Sequence, residues 1–209
     1  SFHTVANFIE SGKYKKAILV CGERMSGMTN YEDRTTCPLF GDGAVAMMIE
    51  PSEDPSLGFQ DAIMHVDGIG RHYLYQTAGG SLYPPTEETV KNRLHFIHQD
   101  GQHVFKYAVS RMADVSVEMM ERHNLTADDI AYLIPHQANI RIMQSSAKKM
   151  GITEDHVIKT VDQHGNTSAA SIPLALDTAV RDGRIKPGQK VLMVALGGGL
   201  TWGSVLTTM

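Results

Sequence analysis

Two cysteines, Cys21 and Cys37, are all that the 209 residues contain, and there is a single tryptophan. Two thiols make no disulfide framework, so the fold has to rest on a packed core, and this usage suits a reducing compartment. Free thiols are expected, with a Cys21–Cys37 bridge as the less expected alternative. Excess charge of one sign is also missing: 19 basic against 23 acidic side chains leave a net charge of −4. That balance gives no electrostatic reason to expect nucleic acid or an anionic membrane surface as a general partner. No apolar run approaches the ~20 residues of a membrane-crossing helix. The longest ones, at 17–21 and 44–49, have strand length, and there is no secretory signal pattern.

What is present is a regular alternation of strand-like and helix-like segments. Residues 2–11 place Phe2, Val5, Phe8 and Ile9 on one helical face, and Gly12 stops the helix. "KAILVCGE" reads as an apolar strand of the buried parallel kind, and "FGDGAVAMMIEP" as a glycine turn and a second strand. Residues 58–68 form another strand. Residues 69–90, rich in Gly, Pro and Tyr, read as a long loop of the sort that covers a site. Val104, Ala108, Met112, Val115 and Met119 stripe a helix over 101–123, and Thr126 caps a short turn. "AYLIP" is a strand. Ile140, Met143, Ala147 and Met150 mark a helix that Gly151 ends. "HVIKTV" reads as a short strand. Residues 167–182 read as a helix with Ile172, Leu176, Ala179 and Val180 inward, and two strands close the chain. This alternation argues α/β with a largely buried sheet.

Residues 10–23 and 181–199 share a pattern: a helix end, Ser/Asp-Gly, a basic linker, an apolar strand, then another strand. Pairing Gly12 with Gly183 puts the counterpart of Asn166 about six residues ahead of Ser1. The chain starts with serine, already inside an amphipathic helix. We therefore expect it to be a piece of a longer protein.

Polar groups suited to chemistry stand where strands give way to helices, the place where α/β sheets gather their sites. His136 follows the strand "AYLIP"; His164 and Asn166 precede a helix; Gly197, Gly198 and Gly199 end a strand. An imidazole, a carboxamide and bare backbone N–H groups can all donate to an oxyanion, and none is a nucleophile. Taken singly, each has an ordinary structural explanation: a loop histidine satisfied by a neighbour, an N-cap asparagine, a glycine turn. His95, His98 and His103 lie near one another in sequence, yet no cysteine or acidic residue completes a metal-ligand pattern, so no metal is expected. His95 and His98 are expected on opposite faces of one strand.

At these residues the sequence resembles the β-ketoacyl-acyl carrier protein synthase III family of condensing enzymes. "PHQANIRI", "HGNTSAAS" and "GGGLTWGS" occur in the family's order, and "DRTTCPLFGDGA" and "RDGRIKPGQ" match as well. The resemblance covers essentially the whole chain. It implies a thiolase-like layered αβαβα fold, here partial, with 1–52 as the end of the first half and 53–209 as the complete second half containing the 69–90 loop. It implies a Cys-His-Asn active site in which the histidine is His136, the asparagine is Asn166, and Gly198 supplies an oxyanion-hole N–H. The cysteine of that pattern falls a few residues ahead of Ser1, and neither Cys21 nor Cys37 matches it. Arg34 matches the contact to the adenine end of CoA. Leu39, Phe40, Gln102, Phe105, Ala138 and Asn139 match the pantetheine tunnel, with Gln102 standing where the family often has Asn. Met25 and Leu196 match the acyl pocket, and Lys106, Arg141 and Lys148 are candidates for the acidic carrier protein.

The implied activity is decarboxylative condensation of an acyl-CoA primer, acetyl-CoA above all, with malonyl-acyl carrier protein. It would be carried out in the cytoplasm by a homodimer with no cofactor, acyl-CoA being a substrate. The rival readings are a condensing enzyme of secondary metabolism and a non-catalytic subunit of the same fold. A chain without the cysteine would form no acyl-enzyme by itself.

Overall fold

Helix α1 (Phe2–Glu10) forms where its pattern predicts but turns a somewhat different side inward. Ala6 and Ile9 are buried, whereas Phe8 is 47% exposed and stacks edge-on against Tyr14 at 5.8 Å. The computed structural model describes residues 1–209. Gly12 leaves the helix at φ +71°, a conformation that glycine adopts without Cβ strain.

Strand β1 (Ala17–Glu23) does not join a parallel sheet. It pairs antiparallel with β2 (Gly43–Ile49), Ile18 opposite Met48 and Val20 opposite Ala46. Exposure alternates along both strands, so Ile18, Val20 and Met48 point outward although the strands read as continuously apolar.

A separate sheet follows. β3 (Gly58–Val66) enters it with one bulge between Phe59 and Asp61. The 69–90 segment has more order than a loop. It holds β4 (Leu74–Gln76) and α2 (Glu87–Lys91), the latter started by a reciprocal Thr86–Thr89 capping box. β4 pairs with β5 (Ile97–Gln99). Only His98 of the two histidines expected in a strand lies in β5; His95 precedes it, its ring tilted against Phe96 at 4.1 Å.

Helix α3 (Gly101–Arg122), capped by the Asp100 carboxylate, buries all five residues of its predicted stripe. β6 (Tyr132–Pro135) leads into α4 (Ile140–Lys149), where Ile142 takes the inward place expected of Ile140, which is 38% exposed. After α5 (Val161–His164) comes α6 (Ser171–Arg181), preceded by a 3-10 turn at Ser168–Ala170. It buries Ser171, Pro173, Ala175 and Ala179 rather than Val180. β7 (Lys190–Gly197) and β8 (Thr201–Thr208) close the chain.

The second sheet has the order β3-β8-β7-β6, with only β6 and β7 parallel. Helices α3 and α4 pack on one face around Met112, Met119, Leu133, Met143 and Leu192. Helix α6 packs on the other around Ile134, Ala175, Ala179 and Met193, where Phe2 of α1 joins it. Because α1 and α6 also touch the β1–β2 ribbon, four layers result: ribbon, helices, sheet, helices.

Residues 156–161 form no strand. Val157 makes one isolated bridge to Leu133, and the backbone beyond it is satisfied by a side chain. The buried Gln137 donates from Nε2 to Pro135 O (2.8 Å) and Ile158 O (3.2 Å) and accepts at Oε1 from Thr160 N (2.9 Å) and Val161 N (3.2 Å). A residue that meets four backbone groups is a brace. Gln137→Leu leaves all four without a partner, and urea denaturation is expected to show a loss of about 3 kcal/mol or more. A change below about 1 kcal/mol would show that water replaces the amide there.

Candidate functional site

β6 continues its pairing one residue past its end, His136 N donating to Val194 O at 2.7 Å. This carries the imidazole to the carboxyl edge of the sheet. There it faces a cavity of about 500 Å³ whose wall also includes Asn166, Gly197 and Gly198. The three segments singled out in the sequence, at His136, Asn166 and Gly197–Gly198, therefore meet at one space.

Each polar group is aimed by a different device. The His136 Nδ1 lies 2.7 Å from Ser171 Oγ at the start of α6. Burial, with no compensating charge, pulls the imidazole pKa from the ordinary 6.5 down to about 4. His136 is thus neutral at physiological pH, a hydrogen-bond donor through one ring nitrogen only. Asn166 has its Oδ1 occupied by the Ser168 N–H at 2.9 Å, which fixes the carboxamide and leaves its NH₂ as the free donor end. Its backbone is clamped on both sides, Asn166 N donating to Leu39 O (2.8 Å) and Gly41 N donating to Asn166 O (3.0 Å). Gly165 precedes it at φ +64°. A Cβ on Gly198 would stand 3.2 Å from the Leu74 carbonyl oxygen, so glycine lets β4 close over the cavity.

The tunnel and pocket residues divide cleanly. Met25, Leu39, Phe40, Phe105, Ala138, Asn139 and Leu196 all line the cavity. Asn139 also caps α4, its Oδ1 accepting from Arg141 N at 2.8 Å. Gln102 is exposed and outside the wall, which its neighbour Gly101 lines. Arg34 is exposed beside Thr35, which does line the cavity. Lys106, Arg141 and Lys148 are exposed on helices α3 and α4. The 69–90 segment reaches the site through Leu74, Tyr75 and Gln76.

Several participants went unread in the sequence. Met28 and Met112 line the cavity with Met25. The Asp42 carboxylate accepts from Ser26 N (2.7 Å) and Ser26 Oγ (2.6 Å) and so ties the 25–28 turn to the Gly41 loop. Both cysteines are free and half-buried, neither lines the cavity, and burial raises the Cys21 pKa. No three His, Cys, Asp or Glu side chains converge as a ligand set. Ser1 lies on the wall of a second cleft of about 710 Å³ that shares His136 with the first. No helix is long and apolar enough to cross a membrane.

The depressed His136 pKa has a consequence for stability. An unfolded imidazole takes a proton near pH 6.5, the folded one only near 4. Between these values the unfolded chain holds more proton, so stability is full above pH 6.5 and falls as pH drops through the window, by about 3 kcal/mol in all. Denaturant titrations from pH 7 to 4 are expected to show this slope reduced by about that amount in His136→Gln. Equal slopes in the two proteins would place the folded pKa near its ordinary value.

Residues 120–209 match the family described as 3-oxoacyl-[acyl-carrier-protein] synthase III C terminal, and residues 1–68 match its companion, 3-oxoacyl-[acyl-carrier-protein] synthase III. The chain is 48% identical over 202 residues to β-ketoacyl-[acyl-carrier-protein] synthase III 2 of Bacteroides thetaiotaomicron, covering 97% of this chain and 59% of that one. It superposes on the crystal structure of 3-oxoacyl-[acyl-carrier-protein] synthase III from Aquifex aeolicus with a TM-score of 0.88 at 36% identity, covering 100% of this chain and 63% of that one. The priming β-ketosynthase of the R1128 polyketide biosynthetic pathway gives 0.87 at 32%, with 99% and 62% covered. The chain thus spans about three fifths of the length of the proteins it matches. The layered architecture is that of the thiolase-like fold expected from the sequence, and the chain belongs to the β-ketoacyl-acyl carrier protein synthase III family.

Proposed function

We propose that this chain carries the decarboxylating and condensing groups of an enzyme that joins an acyl-CoA primer, acetyl-CoA above all, to malonyl-acyl carrier protein and so starts fatty-acid synthesis. The observation that carries the reading is the convergence of a neutral imidazole, an oriented carboxamide and the Gly198 backbone on one apolar cavity. The primer enters as a thioester on a cysteine that the family pattern sets a few residues ahead of Ser1. Ser1 itself borders a cleft shared with His136, which agrees with a thiol arriving from that side.

The malonyl thioester then loses CO₂, and the electrons of the broken C–C bond pass into an enolate. His136 and Asn166 hold the enolate oxygen with one N–H each. Neutral donors suit this step: a carboxylate at 166 would repel the oxyanion, and a cationic imidazole is disfavoured by burial. The enolate carbon attacks the acyl carbonyl, whose oxygen becomes an oxyanion facing the Gly198 N–H. Collapse expels the thiolate and leaves a β-ketoacyl chain on the carrier protein.

Arg34 at the rim is suited to the adenine phosphates. Leu39, Phe40, Phe105, Ala138 and Asn139 sheathe the pantetheine arm, Met25 and Leu196 enclose the acyl group, and Lys106, Arg141 and Lys148 face an acidic carrier. The protein works without a cofactor, in the cytoplasm, as a homodimer. Residues 1–52 belong to the first half of the fold and 53–209 to the second. A polyketide-priming role is the second reading, favoured by the likeness to the R1128 priming β-ketosynthase.

The test is to incubate the full-length protein with acetyl-CoA and malonyl-acyl carrier protein. An acylated cysteine, CO₂ release and acetoacetyl-carrier product are expected. No CO₂ from any acyl-CoA in a panel of chain lengths would sink the reading, and preference for a branched or aromatic primer would favour the polyketide role.

A further inference from the structure

We infer that Ser171 is a positioning residue: its hydroxyl donates to His136 Nδ1, which keeps the single proton of the neutral imidazole on Nε2, at the cavity. The inference rests on the donor role given to His136 above. Three observations support this direction of the bond. Ser171 Oγ stands 2.7 Å from His136 Nδ1 and 3.4 Å from the Gln137 backbone nitrogen. A backbone N–H can only donate, so the Gln137 contact takes one lone pair of Oγ, and Nδ1 is then the one acceptor within reach of the hydroxyl proton, which an Nδ1–H would leave unpaired. Of the other two buried helical serines, Ser116 sends its hydroxyl back along its helix to Met112 O at 2.7 Å and Ser146 Oγ has no partner, while the half-buried Thr178 bonds back to Leu174 O at 2.8 Å. Ser171 makes no such bond, and at 2% exposure it has no bulk water to turn to.

With the hydroxyl donating, Nδ1 is the acceptor and Nε2 carries the proton. The opposite arrangement would give the cavity a bare nitrogen, a base rather than an oxyanion donor. Ser171 therefore selects which chemistry the imidazole performs. It also holds the ring plane, because Nδ1 is tethered to α6 while the His136 backbone is tethered to β7. Gln137, braced through four backbone groups, keeps the N–H that completes the chain in place.

The test is nitrogen NMR of the protein with ¹⁵N-labelled histidine, with His136→Gln used to identify the signals. In the wild type, an unprotonated, hydrogen-bonded Nδ1 and a protonated Nε2 are expected. In Ser171→Ala the Nδ1 signal moves toward that of a free unprotonated nitrogen, or the two tautomers mix. Malonyl-carrier decarboxylation falls about three- to tenfold, the worth of one buried hydrogen bond, while cysteine acylation keeps its rate. Ser171→Thr restores both. A protonated Nδ1 in the wild type overturns the inference, and so does Ser171→Ala with unchanged nitrogen signals and unchanged decarboxylation. If acylation falls as much as decarboxylation, Ser171 is a structural residue only and the inference also fails. Should the wild type not decarboxylate at all, the functional reading falls and the nitrogen signals alone decide the inference.

Discussion

His136→Ala is expected to lower decarboxylation of malonyl-acyl carrier protein by ~10²–10³ while leaving acylation of the cysteine close to the wild-type rate. The magnitude is that of removing one preorganised donor from an oxyanion in a water-poor site. The two steps separate because they stress different atoms. In the proposed reaction, acyl transfer from CoA would build charge on the oxygen that faces Gly198, whereas loss of CO₂ would build it on the enolate oxygen that faces His136 and Asn166. The imidazole is neutral because burial holds its pKa to about 4, so the loss cannot be mistaken for removal of a positive charge. Alanine opens a void beside α6 and strands the Ser171 hydroxyl. Thermal unfolding has to be measured alongside the kinetics, and the acylation rate serves as the internal control. ¹⁴CO₂ release and acyl-enzyme mass in the same preparation decide the matter. Decarboxylation at the normal rate means that His136 does not contact the enolate. Equal loss of both steps means that the substitution has damaged the site as a whole.

The repeat read from two short stretches has a physical basis in the fold. Gly12 and Gly183 both leave their helices at positive φ, +71° and +79°. The bonds around them correspond one for one at a fixed offset. Ser11 N to Asn7 O matches Asp182 N to Thr178 O; Gly12 N to Ile9 O matches Gly183 N to Val180 O; and Tyr14 N to Phe8 O matches Ile185 N to Ala179 O. Each helix then feeds an antiparallel pair, β1–β2 or β7–β8. Local chemistry of this kind is legible because all of its partners lie within a few residues. The same holds for the α3 stripe and for the Thr126 cap.

Sidedness was less legible, because it depends on what each element meets. Phe8, Ile140 and Val180 fit an apolar stripe, yet neighbouring residues are the ones that meet the sheet. β1 reads as a buried strand, but composition does not say which partner it pairs with or on which side. The segment at 156–161 has strand propensity, and a glutamine side chain takes the place of the neighbouring strand. The short helix at Glu87 escaped notice because its capping box closes with Thr89 in place of the usual Glu or Gln.

The site divides along the same line. His136, Asn166 and Gly198 are readable from chemical type and from position beside a strand end or a helix start. Ser171, Gln137 and Gly41 are not, because each acts on a residue made adjacent only by folding.

Gly41 is where this concealed layer can be tested most severely. Its φ is not in the left-handed region, so alanine suits its backbone conformation and only the surroundings object. A Cβ there would lie 2.1 Å from the His164 carbonyl oxygen and 3.2 Å from its carbon. These are backbone atoms, which cannot rotate aside as a side chain can, so the 39–43 and 164–167 loops have to part. Parting them breaks or lengthens the two hydrogen bonds that clamp Asn166, to Leu39 O and from Gly41 N. It also shifts Leu39 and Phe40 in the cavity wall. Gly41→Ala is expected to cost about 2–4 kcal/mol in urea denaturation, from overpacking and weakened bonds together. A displacement near 1 Å at Asn166 is expected to lower condensation by ~10² or more. Gly43→Ala is the matched control. Its Cβ would meet Thr167 Cγ2 and Cβ and Leu174 Cδ1 at 3.1–3.2 Å, contacts about 1 Å longer than the one to the His164 oxygen that need only a few tenths of an ångström of give, so both effects should be much smaller. If Gly41→Ala instead folds with wild-type stability and condenses at the wild-type rate, the contact with His164 is not closed in solution. Asn166 would then be held by something other than the Leu39–Gly41 clamp.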